Sequence, residues 1–156
     1  MTTITKDCFQ ETLQNALERM AFVFVETAEE SPGEVLAQAT FHATIDVSSD
    51  ERSAWLTVSA TNGFVREVAA SMMGLETDEI DVDEHGEPTV CELANIFGGE
   101  LVMSLGGDEN PLRLGLPRVL NDAEVGARID QISSGSEGWA LALRSDEGLL
   151  LIGCHY

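Results

Sequence analysis

The chain has 156 residues, 44% of them hydrophobic and 23% charged, which is the usage of a folded protein with its own core and excludes wholesale disorder. A chain of this length is expected to form one domain over residues 1–156 and to bury roughly 70% of its unfolded surface without disulfides or metals. Its 28 acidic and 8 basic residues give a formal net charge of -20, which argues against nucleic acid and anionic membrane surfaces as partners.

Cys8, Cys91 and Cys154 are odd in number and far apart, with no C-x-x-C, so neither a disulfide framework nor a zinc site is indicated. The amino terminus lacks the apolar run of a signal peptide, and Met20 to Val25 is too short to span a bilayer. The expected location is the cytoplasm.

Asp7 with Gln10 three residues later reads as a helix start, and Phe9, Leu13, Ala16, Leu17, Met20, Ala21 and Phe24 keep helical spacing to about Thr27. Glu29-Glu30-Ser31-Pro32-Gly33 is a breaker cluster. Ala37, Ala39, Phe41, Ala43, Ile45 and Val47 then alternate with polar residues, the pattern of a half-buried strand. Ser48 to Glu51 turns the chain, and Ala54, Leu56, Val58 and Ala60 form the second arm of a hairpin. This alternation puts His42 on the outer face, where it is expected to be solvated.

Asn62 is positioned to cap a second helix that carries Phe64, Val65, Val68, Ala69, Met72 and Met73 to Gly74, a suitable C′ residue. The acidic run from Glu76 to Glu87 reads as a solvated linker with one helical turn, since its spacing does not match a calcium loop.

Pro88 to Val102 follows, and Val90, Leu93, Ala94, Phe97, Leu101, Val102 and Leu105 recur every three or four residues as the buried stripe of a helix. A second line, Glu92, Asn95 and Gly99, lies on another face. Asn and Gly are poor helix formers, so local stability does not account for them. Two readings of Glu92 stay open. Thr89 and Glu92 have the spacing of a capping box, whereas Pro88 at the first helical position would make Glu87 the cap and leave Glu92 free.

The helix is expected to end near Gly106-Gly107. Leu112 to Leu120 is extended around Pro117, Val125, Ala127 and Ile129 alternate as a further strand, and a hairpin from Trp139 to Leu143 and Leu149 to Ile152 closes the chain. Three main helices packed on five or six mostly antiparallel strands make the fold class α+β. No phosphate-binding Gly-rich loop, Gly-x-Ser-x-Gly or His-Glu-x-x-His is present. Glu11 to Gln14 in the first helix faintly echoes Glu92 to Asn95.

Glu92-Leu-Ala-Asn95-Ile-Phe-Gly-Gly99, followed by Leu114-Gly-Leu-Pro117-Arg-Val-Leu120, resembles the motif of the CheC/CheX chemotaxis phosphatases, and the element order follows theirs. One clear motif makes the chain similar to CheX rather than to two-site CheC, and Glu100 departs from the small polar residue often found there. The resemblance implies hydrolysis of the aspartyl phosphate on a CheY-like receiver domain. Asn95 would orient the attacking water, Glu92 would dock against the receiver's lysine, and Gly99 would allow close approach. It implies no cofactor of the chain's own, Mg²⁺ being supplied by the receiver, and admits a homodimer. A non-catalytic binding module that recognises a receiver or another signalling protein is the alternative.

Overall fold

The structure, a computed structural model, describes residues 5–105, 111–134 and 137–156. In chain order it contains α1 (Lys6–Ala21), β1 (Glu26–Thr27), α2 (Pro32–Gln38), β2 (Phe41–Ser48), β3 (Ser53–Ala60), α3 (Asn62–Met73), a 3₁₀ turn (Thr77–Glu79), α4 (Val82–Leu105), β4 (Arg113–Leu114), β5 (Arg118–Val119), α5 (Asp122–Ser134), β6 (Trp139–Arg144) and β7 (Leu149–His155). The expected α+β class holds, with seven strands and five α-helices among the described residues in place of five or six strands and three main helices. The strand order is β1-β6-β7-β3-β2-β4, β5 also pairs with β2, and every pairing is antiparallel.

α1 starts one residue before Asp7 because the Thr5 hydroxyl accepts from the Cys8 amide. It stops at Ala21, short of the expected Thr27. Phe22 adopts φ 52, and the Phe22 and Val23 amides donate back to the Glu18 and Leu17 carbonyls, a Schellman-type end built without glycine. Val23 then enters the core while Phe22 and Phe24 point to solvent, so the apolar run is a turn and not helix. The Gln14 side chain donates to the Val25 carbonyl, and Gln10 donates to Thr27, holding the returning β1 alongside.

The breaker cluster contains a helix start: Ser31 accepts from the Glu34 amide, Pro32 takes the first helical position, and α2 occupies residues that the alternation assigned to the strand. β2 therefore begins at Phe41. It pairs with β3 in one register from Phe41↔Ala60 to Ser48↔Ser53. Thr61, not Asn62, caps α3, and Gly74 ends it with φ 69, as its position suggested.

The largest departure is α5. Val125 and Ile129 belong to a helix, because Ile132 completes an i, i+4, i+7 line with them and all three are buried, while Ala127 is exposed. Asn121 and Glu124 start this helix with reciprocal backbone bonds. α5 and α2 cover one face of the sheet through Val35, Leu120, Val125, Ile129, Ile132, Leu149 and Leu151. The main core, from α1, α3 and α4, covers the other. The sheet is thus sandwiched between two helical layers.

His42 is accordingly buried at 3% exposure, not solvated. Its Nδ1 lies 2.8 Å from Ser59 Oγ and its Nε2 2.8 Å from Asp122 Oδ1. The ring ties β2 and β3 to the first residue of α5. Among the described residues no helix is long and apolar enough to cross a membrane.

Candidate functional site

α4 begins six residues earlier than Pro88. The Asp81 carboxylate accepts from the Asp83 amide and its carbonyl accepts from His85, so the acidic run after Asp81 is helix instead of linker. Neither Thr89 nor Glu87 caps the helix, so both cap assignments fall, while Glu92 is free as the second reading had it. Thr89 and Glu87 lie inside the helix, Thr89 is buried, and Glu92 sits three turns from the start with its side chain exposed. Pro88 stands within the helix, where it brings no amide to the Glu84 carbonyl; both residues are exposed, so water can take the acceptor. The expected end at Gly106-Gly107 lies outside the described residues, and Leu105 is the last helical residue described.

Of the expected stripe, Val90, Leu93, Ala94 and Phe97 are fully buried and Leu101 nearly so, against β2 and β3, while Val102 and Leu105 are only partly buried. One flank of α4 meets α1, where Arg19 reaches Glu100 at 3.2 Å. The opposite flank meets β4: a Cβ on Gly98 would stand 2.7 Å from Leu114 Cδ1 and 2.9 Å from Ile45 Cγ2, so only glycine lets the helix lie this close.

Between the flanks runs the second line. Glu92 and Asn95 are exposed, and a Cβ on Gly99 would meet no atom within 4 Å. At about 100° per residue, Glu92, Asn95 and Gly99 fall within about 60° of one another and point away from the core. Met103, one turn beyond Gly99, continues the line at 78% exposure. This is an open helix face carrying a carboxylate and a carboxamide beside bare backbone. Neither polar side chain is recruited into the core, which leaves both available to a partner.

Cys91, the neighbour of Glu92, is half-buried, and burial followed by the Glu87 carboxylate raises its thiol pKa. A thiol held protonated is a poor nucleophile. The His42, Ser59 and Asp122 chain has the residue types of a hydrolytic triad, but Ser59 is fully buried on the sheet and cannot meet a substrate. Its part is structural. Among the described residues no group of three or more His, Cys, Asp or Glu is arranged to hold a metal ion. In α1, Glu11 is exposed but Gln14 is spent on the Val25 carbonyl, so the echo of the α4 pattern presents no second polar pair.

The antiparallel sheet with a long helix laid over its β2 and β3 strands is a CheX-like α+β fold. The sequence model of the chemotaxis phosphatase CheX family matches residues 41–136, more than half of the chain, and the protein belongs to that family. Among solved structures it is similar to the chemotaxis protein CheX of Vibrio vulnificus, with a TM-score of 0.69 and 15% identity over 99% of both chains. It is similar also to CheX of Desulfovibrio desulfuricans, with a TM-score of 0.61 and 14% identity over 94% of each chain. A third is the Borrelia burgdorferi CheX–CheY–BeF3–Mg²⁺ complex, with a TM-score of 0.62 and 14% identity over 94% of each chain. At these identities the likeness is one of fold. No curated protein matches the sequence.

Proposed function

We propose that this chain is a phosphatase for the aspartyl phosphate of a CheY-like receiver domain, working as a single domain in the cytoplasm. The observation that carries the proposal is the exposed Glu92, Asn95 and Gly99 line on α4, whose polar members have no capping duty and whose glycine has open space above it. Membership of the CheX family supports it, as does the similarity to a CheX in complex with CheY and Mg²⁺.

In the proposed reaction the oxygen of a water bonds to phosphorus, and the bond from phosphorus to the aspartyl oxygen breaks. The carboxylate leaves with the electron pair, and the proton lost by the water passes to solvent or to the phosphate formed. The receiver supplies the acyl phosphate and the Mg²⁺. The role left for this chain is placement. The Asn95 carboxamide, which both donates and accepts hydrogen bonds, holds the water in line, and such orientation is worth several kcal/mol of barrier. Glu92 pairs with the receiver's lysine and sets the register of docking, while Gly99 lets the receiver's backbone approach α4.

The test is phosphate release from a panel of phosphorylated receiver domains with and without the purified chain. The wild type should accelerate release from at least one receiver and Asn95→Ala should not. If the wild type binds a receiver but speeds phosphate loss from none, the chain is a binding module and the phosphatase reading fails.

A further inference from the structure

The charge of -20 poses a difficulty for any protein that must meet a phosphorylated, acidic surface, because like charges slow the encounter and weaken the complex. Beside α4 lies one segment with no acid of its own. Pro111 to Leu120 contains no acid and two of the eight basic residues, Arg113 and Arg118, and it forms a strap along the outer edge of the sheet. We propose that this strap is a docking arm for the receiver, with Leu116 as its apolar anchor, Met103 as a second contact, and the two arginines as its cationic frame. The inference rests on the phosphatase reading above and names how the same site takes hold of its partner.

The backbone holds the strap in one shape. β4 pairs Leu114 with Val47, β5 pairs Val119 with Ala43, and between them the Gly115 amide donates to the Asp46 carbonyl at 2.8 Å. A Cβ on Gly115 would already stand 3.0 Å from that carbonyl oxygen. The chain lies flat on β2 on both sides of Leu116, and Pro117 fixes the exit, so Leu116 stands out at 90% exposure. An apolar side chain presented by ordered backbone loses little freedom on binding.

Its place relative to the site follows from Gly98, which packs on Leu114 and so marks the flank of α4 that faces the strap. On the helical wheel Asn95 is about 60° from Gly98, on the adjoining side. Asn95 is therefore the member of the outward line nearest the strap, and the exposed Met103 lies farther round the helix. Leu114 and Val119 add partly exposed apolar surface next to Leu116.

The arginines are free to change partners. Arg113 reaches Asp50 at 3.1 Å with both side chains mostly in water, and Arg118 is 3.7 Å from Glu124 with both about half exposed. Surface pairs of this kind contribute little and exchange readily. The occupant that fits is a folded domain whose acidic phosphorylation pocket carries an apolar shoulder, so that carboxylates meet the guanidinium groups while the shoulder covers Leu116.

The experiment uses the receiver domain that the full chain binds most tightly, and compares wild type, Leu116→Ala, Met103→Ala with Leu116→Ala, Arg113→Ala with Arg118→Ala, and Asn95→Ala. Binding, steady-state phosphate release and melting temperature are measured for each. Leu116→Ala should raise Kd and KM about tenfold, as expected of an interface anchor, with kcat within about twofold of wild type and an unchanged melting temperature. The arginine pair should weaken binding several-fold, and more so at low salt than at high. Asn95→Ala should lose kcat and keep its affinity. Strap variants that keep wild-type KM while Asn95→Ala is inactive would overturn the docking arm and leave the phosphatase standing. Strap variants that lose binding to a receiver the wild type does not turn over would do the reverse. A wild type that binds no receiver, or a Leu116→Ala that abolishes only self-association, also overturns the docking arm.

Discussion

Two adjacent glycines in α4 should respond to the same substitution with opposite signs. Gly99→Ala adds a methyl where no atom lies within 4 Å, so only backbone propensity changes, and that favours Ala by up to about 1 kcal/mol in a helix. For a domain of this size a gain of about 1 kcal/mol raises the melting temperature by about 2–4 °C. Gly98→Ala gains the same propensity, but its methyl would stand 2.7 Å from Leu114 Cδ1 and 2.9 Å from Ile45 Cγ2. Ile45 is a fully buried residue of a central hairpin and cannot retreat, so overpacking of about 1–3 kcal/mol outweighs the gain. Urea unfolding of the two variants and the wild type measures both differences directly. A destabilised Gly99→Ala, or a Gly98→Ala as stable as wild type, would refute the placement of α4 and with it the open face above Gly99. Against a receiver, Gly99→Ala should bind more weakly than wild type although its own fold is firmer.

Asn95→Ala should abolish accelerated dephosphorylation while unfolding at the wild-type urea concentration or slightly above, since the residue is exposed and Ala is the better helix former; unchanged turnover would remove Asn95 from the mechanism. Glu92→Gln should weaken receiver association and flatten its salt dependence, and because Glu92 caps nothing in α4 its melting temperature should stay within a degree or so of wild type; a large thermal loss would contradict the position described here. His42→Leu should cost about 1–3 kcal/mol in urea unfolding by stranding the buried Ser59 hydroxyl and cutting the link to Asp122, with receiver turnover unaffected; wild-type stability would count against that network. Burial pushes the Cys154 thiol up to about 12, so a thiol reagent at pH 8 should label exposed Cys8 first and Cys154 only on unfolding. The same shift means that the stability it contributes is complete below the ordinary thiol pKa and is lost as the pH rises from there toward 12, which urea midpoints between pH 8 and 11 should follow downward.

What the sequence made legible was whatever depended on one local period. The stripe from Val90 to Leu101, the β2 and β3 hairpin and the closing β6 and β7 hairpin each carry a single unambiguous repeat over several residues, and Gly74 marks a helix end by its backbone freedom. α5 resembles a strand in sequence because Val125, Ala127 and Ile129 satisfy alternation as well as any strand does; only the burial of Ile132 with an exposed Ala127 decides for helix, and burial is a tertiary fact. The same second layer explains His42. Alternation tells that its side chain opposes Ala43, but not whether the opposite face of the sheet meets water or another helix. Of the candidate site, Glu92, Asn95 and Gly99 could be placed on one face by spacing, while the freedom of Glu92 from capping turned on Asp81, which caps α4 one residue before it begins at Val82, six residues before Pro88. The approach of the Leu114 to Val119 segment to α4 could not be read at all, since it follows from pairing with the edge of β2.

The position of β7 bears on how the molecule comes into being. This strand lies between β6 and β3 in the middle of the sheet, yet it follows β3 only after three long helices in sequence, with Trp55 opposite His155. During synthesis the β2 and β3 hairpin can close as soon as it emerges, but the free side of β3, rich in Leu, Val and Ala, has nothing to pair with until Leu149 to His155 have also emerged. Non-local pairing of this kind closes late and slowly. A ribosome-bound fragment ending between Ala60 and Leu149 therefore carries an open, apolar strand edge, and its dependence on chaperones should end abruptly when β7 slots into place.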